Sequence, residues 1–191
     1  MSEVVDRSLE RVRRRRNDVN FDANVAGWQV YGDSAGLSRA VLNLLDNAAK
    51  WSPADGRVRV SLTQVDPNTA ELVVADQGPG IPPEERGLVF ERFFRSTSAR
   101  ALPGSGLGLA IVKQVVLKHG GTLRIEDTDP NADPRGTSIH VLLPGRPLPT
   151  VSVAGNGEHD SHMAGAVDGI GGAVENGRRT GERSGDRPNV L

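Results

Sequence analysis

The chain has 191 residues, 37% of them hydrophobic and 25% charged, with a formal net charge of -1. This suits one globular core with flexible sequence to spare, and the near-neutral balance gives no global case for nucleic acid despite the basic cluster Arg11 to Arg16. The absence of cysteine excludes a disulfide framework, a thiolate nucleophile and a zinc knuckle. No apolar run reaches the roughly 18 residues of a spanning helix and the N-terminus has no signal-peptide pattern, so a soluble chain is expected.

Glu3 to Arg16 sets Val4, Val5, Leu9 and Val12 among charges, which predicts a short amphipathic helix leading into the domain. Val19 to Phe21 and Trp28 to Tyr31 are strand candidates, with Asn24 to Gly27 as a turn. Asp33 or Ser34 can cap a helix running to about Lys50 on the apolar stripe Leu37, Val41, Leu44, Leu45 and Ala48, and Ser52-Pro53 ends it. Val58, Val60 and Leu62 alternate with polar residues, Glu71 to Ala75 is a second β run, and Asp66-Pro67-Asn68 connects them as a hairpin. Asp76 therefore sits at a strand exit.

From Gln77 to Gly104 the chain reads as a long, Gly- and Pro-rich segment with one short helix around Glu84 to Phe90. Gly106 to His119 is a helix stopped by Gly120-Gly121, and Thr122 to Glu126 and Thr137 to Leu143 complete the strands. Beyond Pro147 large apolar residues nearly vanish, so residues 147–191 are expected to be a disordered tail. The expected organisation is a linker helix at 1–16, a catalytic domain at 17–146 and the tail. Three helices beside several strands, with a long insert between Asp76 and Gly106, predict an α/β two-layer sandwich with a mobile lid.

Four separated elements suit one ligand. Asn43, Asn47 and Lys50, at i, i+4 and i+7, share a helix face; amide oxygens suit Mg²⁺ and the ammonium suits phosphate, although backbone could satisfy both asparagines equally well. In Asp76-Gln77-Gly78-Pro79-Gly80-Ile81 a carboxylate can accept from an adenine amine while glycine backbone approaches the base, although alone this is a turn pattern. Gly104-Ser105-Gly106-Leu107-Gly108-Leu109 presents main-chain N–H groups to an anion at a helix start, and in isolation is weak evidence. Phe90-Glu91-Arg92-Phe93-Phe94-Arg95 could clamp the lid while Arg92 and Arg95 reach phosphate, or could be a satellite hydrophobic cluster.

In this order, over about residues 17 to 145, the four elements resemble the N, G1, F and G2 boxes of the ATP-binding catalytic domain of sensor histidine kinases, in the superfamily that also holds gyrase, Hsp90 and MutL. The resemblance implies a Bergerat fold, a mixed sheet against three helices with ATP under the lid. It implies ATP contacts from Asn43, Asn47, Lys50, Asp76, Gly78, Gly80, Ile81, Arg92, Gly104, Ser105, Gly106, Leu107, Gly108, Leu109 and Thr137. Within that set Asn47 would be the Mg²⁺ ligand, Asp76 the adenine acceptor and Thr137 a residue holding adenine through water. Lys50 and Arg92 would serve the transferring phosphoryl group.

Asn43 completes the expected catalytic set, because hydrolysing members typically carry a water-activating glutamate there and an amide cannot act as a base. Transfer to a protein acceptor is therefore expected over hydrolysis. None of His119, His140, His159 and His162 lies in a phosphoacceptor context. The resemblance thus implies that the acceptor histidine, on a dimerisation domain, and a membrane sensor precede residue 1 in a longer parent. The cognate response regulator would be an indirect partner, and the isolated domain a cytoplasmic monomer that binds no nucleic acid. Two further readings share the boxes, a nucleotide-binding docking module without transfer and an anti-sigma-type serine kinase.

Overall fold

The structure is a computed structural model in which residues 1–96 and 104–149 are described. Three helices, α1 (Ser2–Arg13), α2 (Ser34–Trp51) and α3 (Gly108–Lys118), accompany seven strands among these residues: β1 (Asn20–Val25), β2 (Trp28–Gln29), β3 (Arg57–Asp66), β4 (Thr69–Ala75), β5 (Thr122–Glu126), β6 (Ser138–Pro144) and β7 (Arg146–Pro147). Five strands form one sheet in the order β1-β3-β4-β6-β5, in which β1 runs parallel to β3 and every other neighbour is antiparallel. The expected mixed sheet is thus present. Among the described residues no helix is long and apolar enough to cross a membrane.

Alternation builds the layers. In β3, Val58, Val60 and Leu62 are buried while Arg57 and Arg59 are exposed, and β4 and β6 add Leu72, Val74, Ile139 and Val141 to the same core. The helices lie over that core. The other face of the sheet carries a polar network in which the Glu71 carboxylate accepts from Arg124 (2.9 Å) and lies 3.0 Å from His140 Nδ1. Helix α2 starts where the Asp33 carboxylate accepts the Gly36 N–H at 2.9 Å. It stops at Ser52, whose extended backbone (ψ 141°) is what a following proline imposes. Leu37, Val41, Leu44, Leu45 and Ala48 are buried, as the stripe requires.

Helix α1 is more than an approach to the domain. Val5, Leu9 and Val12 are buried in the common core, α1 packs on α2, and both belong to the compact unit Met1–Val151. Strand β1 continues to Val25, through part of the expected turn, because parallel pairing with β3 holds Asn24 opposite Ser61 and Val25 opposite Leu62. The expected helix at Glu84 to Phe90 is two 3₁₀ turns, Pro83–Glu85 and Leu88–Phe90, with Gly87 between them. So short a segment, interrupted by glycine, cannot recover the cost of nucleating an α-helix.

Helix α3 begins at Gly108 rather than Gly106, since Gly106 takes φ +71°, outside the right-handed helical region. Strand β7, two residues paired with β2, is too short for a periodic signal. Most of the expected tail and residues 97–103 of the expected lid lie outside the described residues.

Leu9→Ala is expected to lower the unfolding free energy by about 3 kcal/mol in chemical denaturation while leaving a single transition. An unchanged midpoint would mean that α1 is not part of the cooperative unit.

Candidate functional site

One cavity of about 320 Å³ opens between α2, the glycine loop after β4, residues 94–96 and the glycine run before α3. That volume is within the range of small-ligand pockets. Among its lining residues are Asn43, Asn47, Lys50, Gly80, Ile81, Gly104, Ser105, Gly106, Gly108, Leu109 and Thr137. Four separated stretches of sequence therefore meet at one concavity, which none of them specifies alone.

At one end the wall is fixed by Asp76, which is 3% exposed. Its Oδ1 accepts the N–H groups of Gly78 (2.8 Å) and Thr137 (3.0 Å), and its own N–H donates to the Thr137 carbonyl at 2.8 Å. The loop after β4 and the start of β6 are thereby stitched together. Gly136 closes the seam with φ +68°, where a Cβ would stand 2.2 Å from the Asp76 carbonyl oxygen, so only glycine fits. Burial drives the Asp76 carboxyl up from its ordinary 3.8 to about 6, against the two backbone N–H bonds that favour the charge. Asp76 and Gly78 are not themselves lining residues, although Thr137, bonded to Asp76, is, and Asp76 also lines a second hollow.

The other end is cationic and oxygen-rich. Asn43 and Asn47 line it from α2, and Asn43 Oδ1 would lie 3.3 Å from a Cβ on Gly108, so the start of α3 crosses directly over the asparagine stripe. Lys50 Nζ lies 5.2 Å from the centre of the Trp51 ring and 3.3 Å from the Cβ position of Gly104. Burial, and secondarily the charge of Arg95, hold the Lys50 ammonium below its ordinary pKa. Two cations sharing one partly buried wall favour an anion between them. Amide and carboxylate oxygens from Asn43, Asn47 and Asp46 suit a hard divalent cation that takes its remaining ligands from phosphate and water. The described residues hold no group of three or more His, Cys, Asp or Glu that could bind a metal unaided.

The structure redistributes the lid residues. Arg92 is exposed and is not a lining residue, whereas Arg95 is, and Leu107 also stays back from the wall. Phe93 donates its N–H to the Gly106 carbonyl at 3.1 Å, with its own side chain 71% exposed. Sequence reasoning missed Asp46, Trp51 and Glu85 as lining residues. Helical spacing could have found Asp46, three after Asn43, whereas Trp51 and Glu85 carry no local signal.

The two described histidines have structural partners. His119 Nε2 accepts the Asp33 N–H at 3.0 Å while Nδ1 faces the Val115 carbonyl at 2.7 Å, and His140 belongs to the network on the far sheet face. His159 and His162 lie outside the described residues.

The family of histidine kinase-, DNA gyrase B- and HSP90-like ATPases matches residues 32–147. The signal transduction histidine-protein kinase/phosphatase MprB of Mycobacterium sp. (strain KMS) is 76% identical over 157 residues, which cover 82% of this chain and 30% of the relative. Its counterpart in Mycobacterium leprae (strain TN) is 67% identical over 175 residues, covering 92% of this chain and 34% of the relative. The chain thus spans about a third of the length of the curated relatives it matches.

A solved mycobacterial sensor histidine kinase MprB is 70% identical with a TM-score of 0.74, over 78% of this chain and 96% of that one. A nucleotide-free catalytic domain of the histidine kinase ThkA shares the fold at 22% identity, with a TM-score of 0.61 over 76% of this chain and 94% of that one. The four boxes, the mixed sheet under three helices and these likenesses agree: the chain belongs to the histidine kinase-, DNA gyrase B- and HSP90-like ATPase family, on its sensor histidine kinase branch.

Proposed function

We propose that this chain binds ATP with Mg²⁺ in the cavity and presents the γ-phosphoryl group to a histidine imidazole on a separate dimerisation domain, from which it passes to a response regulator. The observation that carries this reading is the polarity of one cavity: a buried carboxylate seam at one end, and amide oxygens, two cations and glycine backbone at the other. The dimerisation domain and a membrane-borne sensor are assigned to the remainder of a longer parent.

Asp76 suits the exocyclic amine of adenine because both of its backbone bonds fall on Oδ1, leaving Oδ2 to accept from a base that enters beside Thr137 or through a bridging water. At the other end Lys50 and Arg95 offset phosphate charge, and the N–H groups of the glycine run face the phosphates at the start of α3. Asn47, with Asn43 beside it, would hold Mg²⁺, which when bound would supply neutralisation of phosphate charge. In transfer the bond from γ-phosphorus to its bridging oxygen breaks, ADP keeps the electron pair, and a bond to the imidazole nitrogen forms. Asn43 lines the cavity where a carboxylate could have taken a proton from water, and its amide cannot, which favours transfer over hydrolysis. Arg92, exposed in this structure, is assigned to the transferring group in the assembled enzyme rather than to nucleotide binding.

The two arginines should separate cleanly. Arg95→Ala is expected to weaken binding of a fluorescent ATP analogue by roughly tenfold or more, the worth of a charge-assisted contact, whereas Arg92→Ala should leave that binding within about twofold and depress transfer to a supplied histidine domain. Equal binding losses in both variants would count against this division.

Asp76 gives a test with a defined sign. Below its unfolded value of 3.8 the carboxyl is neutral in both states, and between there and about 6 the folded state holds a proton that the unfolded state has lost. Stability therefore falls as pH rises through this window, by about 3 kcal/mol in total. Asp76→Asn is expected to raise the thermal midpoint of the ligand-free domain at pH 7.5, to change it little at pH 4, and to abolish ATP binding in calorimetry. A variant that binds ATP like wild type would remove Asp76 from base recognition.

A further inference from the structure

The turn that follows α1 reaches the cavity through an ion pair. Arg15, in the turn just after α1, places its Nη2 2.7 Å from Asp46 Oδ1, joining that turn to α2 across 31 residues of sequence. Asp46 follows Asn43 by three residues and precedes Asn47, so the three stand on one stripe of α2, and all three line the cavity. Of the described lining residues only Asp46 and Glu85 are acidic, and Glu85 comes from the loop after β4, not from α2. Asp46 therefore places a negative charge beside the oxygen donors, on the helix that also carries Lys50.

A carboxylate there acts in opposite senses on the two forms of a nucleotide. It repels a bare triphosphate and attracts one whose charge is masked by a divalent cation, either directly or by accepting from metal-bound water. Arg15 opposes both effects, because it neutralises the same carboxylate. The pair is half exposed, with side-chain accessibilities of 51% and 45%, so its own contribution is small and it can be exchanged for a stronger partner at low cost. Arg16 is engaged chiefly by Asp18, with Asp46 the weakest influence on it, which leaves Arg15 as the main cationic partner of Asp46.

We propose that Asp46 is a positioning residue for the metal-bearing end of the nucleotide, and that Arg15 competes with the metal for its carboxylate, so that loading of the cavity is felt at the end of α1. This rests on the nucleotide reading above and adds a residue and a route to it. Metal-nucleotide would draw Asp46 away from Arg15 and free the basic end of α1. Loss of metal would restore the pair.

The test is the ratio of two affinities of the full 191-residue chain for a fluorescent ATP analogue, one with Mg²⁺ and one with EDTA. Asp46→Asn is expected to lower this ratio about tenfold, the usual cost of losing an outer metal contact, with EDTA binding unchanged or tighter. Arg15→Gln is expected to raise the ratio about threefold, the scale of an exposed ion pair. Opposite movements cannot come from shared destabilisation. An unchanged ratio in Asp46→Asn, or movement of both variants in one direction, would overturn the role of Asp46 while leaving the nucleotide site standing. Failure of the wild-type chain to bind under either condition would overturn the nucleotide reading itself.

Discussion

The site depends on a carboxylate that the fold has good reason to avoid. Asp76 is buried at the exit of β4, where charge is expensive, and the two N–H groups it accepts come from segments far apart in sequence. Beside that pairing, one more backbone bond ties the glycine loop to the segment entering β6, from the Gly136 N–H to the Gly78 carbonyl at 3.0 Å. The geometry of Gly136 shows how little tolerance the seam has, since any side chain there would collide with the Asp76 carbonyl. A buried carboxylate held in this way orders the wall, and the burial that makes it costly also raises its own pKa.

Helix α2 distributes the rest. Its apolar stripe faces the sheet and its polar stripe faces the cavity, so one rigid element sets the distance between core and ligand. This division was legible in the sequence because it is periodic: Asp33 as cap, the leucines at helical spacing, and two asparagines and a lysine where apolar residues would pack better. The position of Asp76 was legible for a similar reason, at the end of an alternating run.

What escaped the sequence depends on distant chain. Strand β1 outruns its local turn signal because β3 is available to pair with it, and α1 joins the core because its valines and leucine find α2. Arg92 and Arg95 are indistinguishable by composition, and only the backbone between Glu91 and Ser96 decides which faces the cavity. The family match begins at residue 32, after α1 and β1, although both are integral to the compact unit. Packing thus extends the compact unit beyond the part that the family match delimits.

The bond between Phe93 N–H and the Gly106 carbonyl has a further consequence. It fastens the backbone at Phe93 to the backbone at Gly106, so the two ends of the stretch between them meet at a fixed point. Ring closure grows only logarithmically with length, at about 0.6 kcal/mol for each doubling. Insertions and deletions between Ser96 and Gly104 should therefore pass almost unnoticed by the core. Chain length there is free to vary while the bond between Phe93 and Gly106 stays the same.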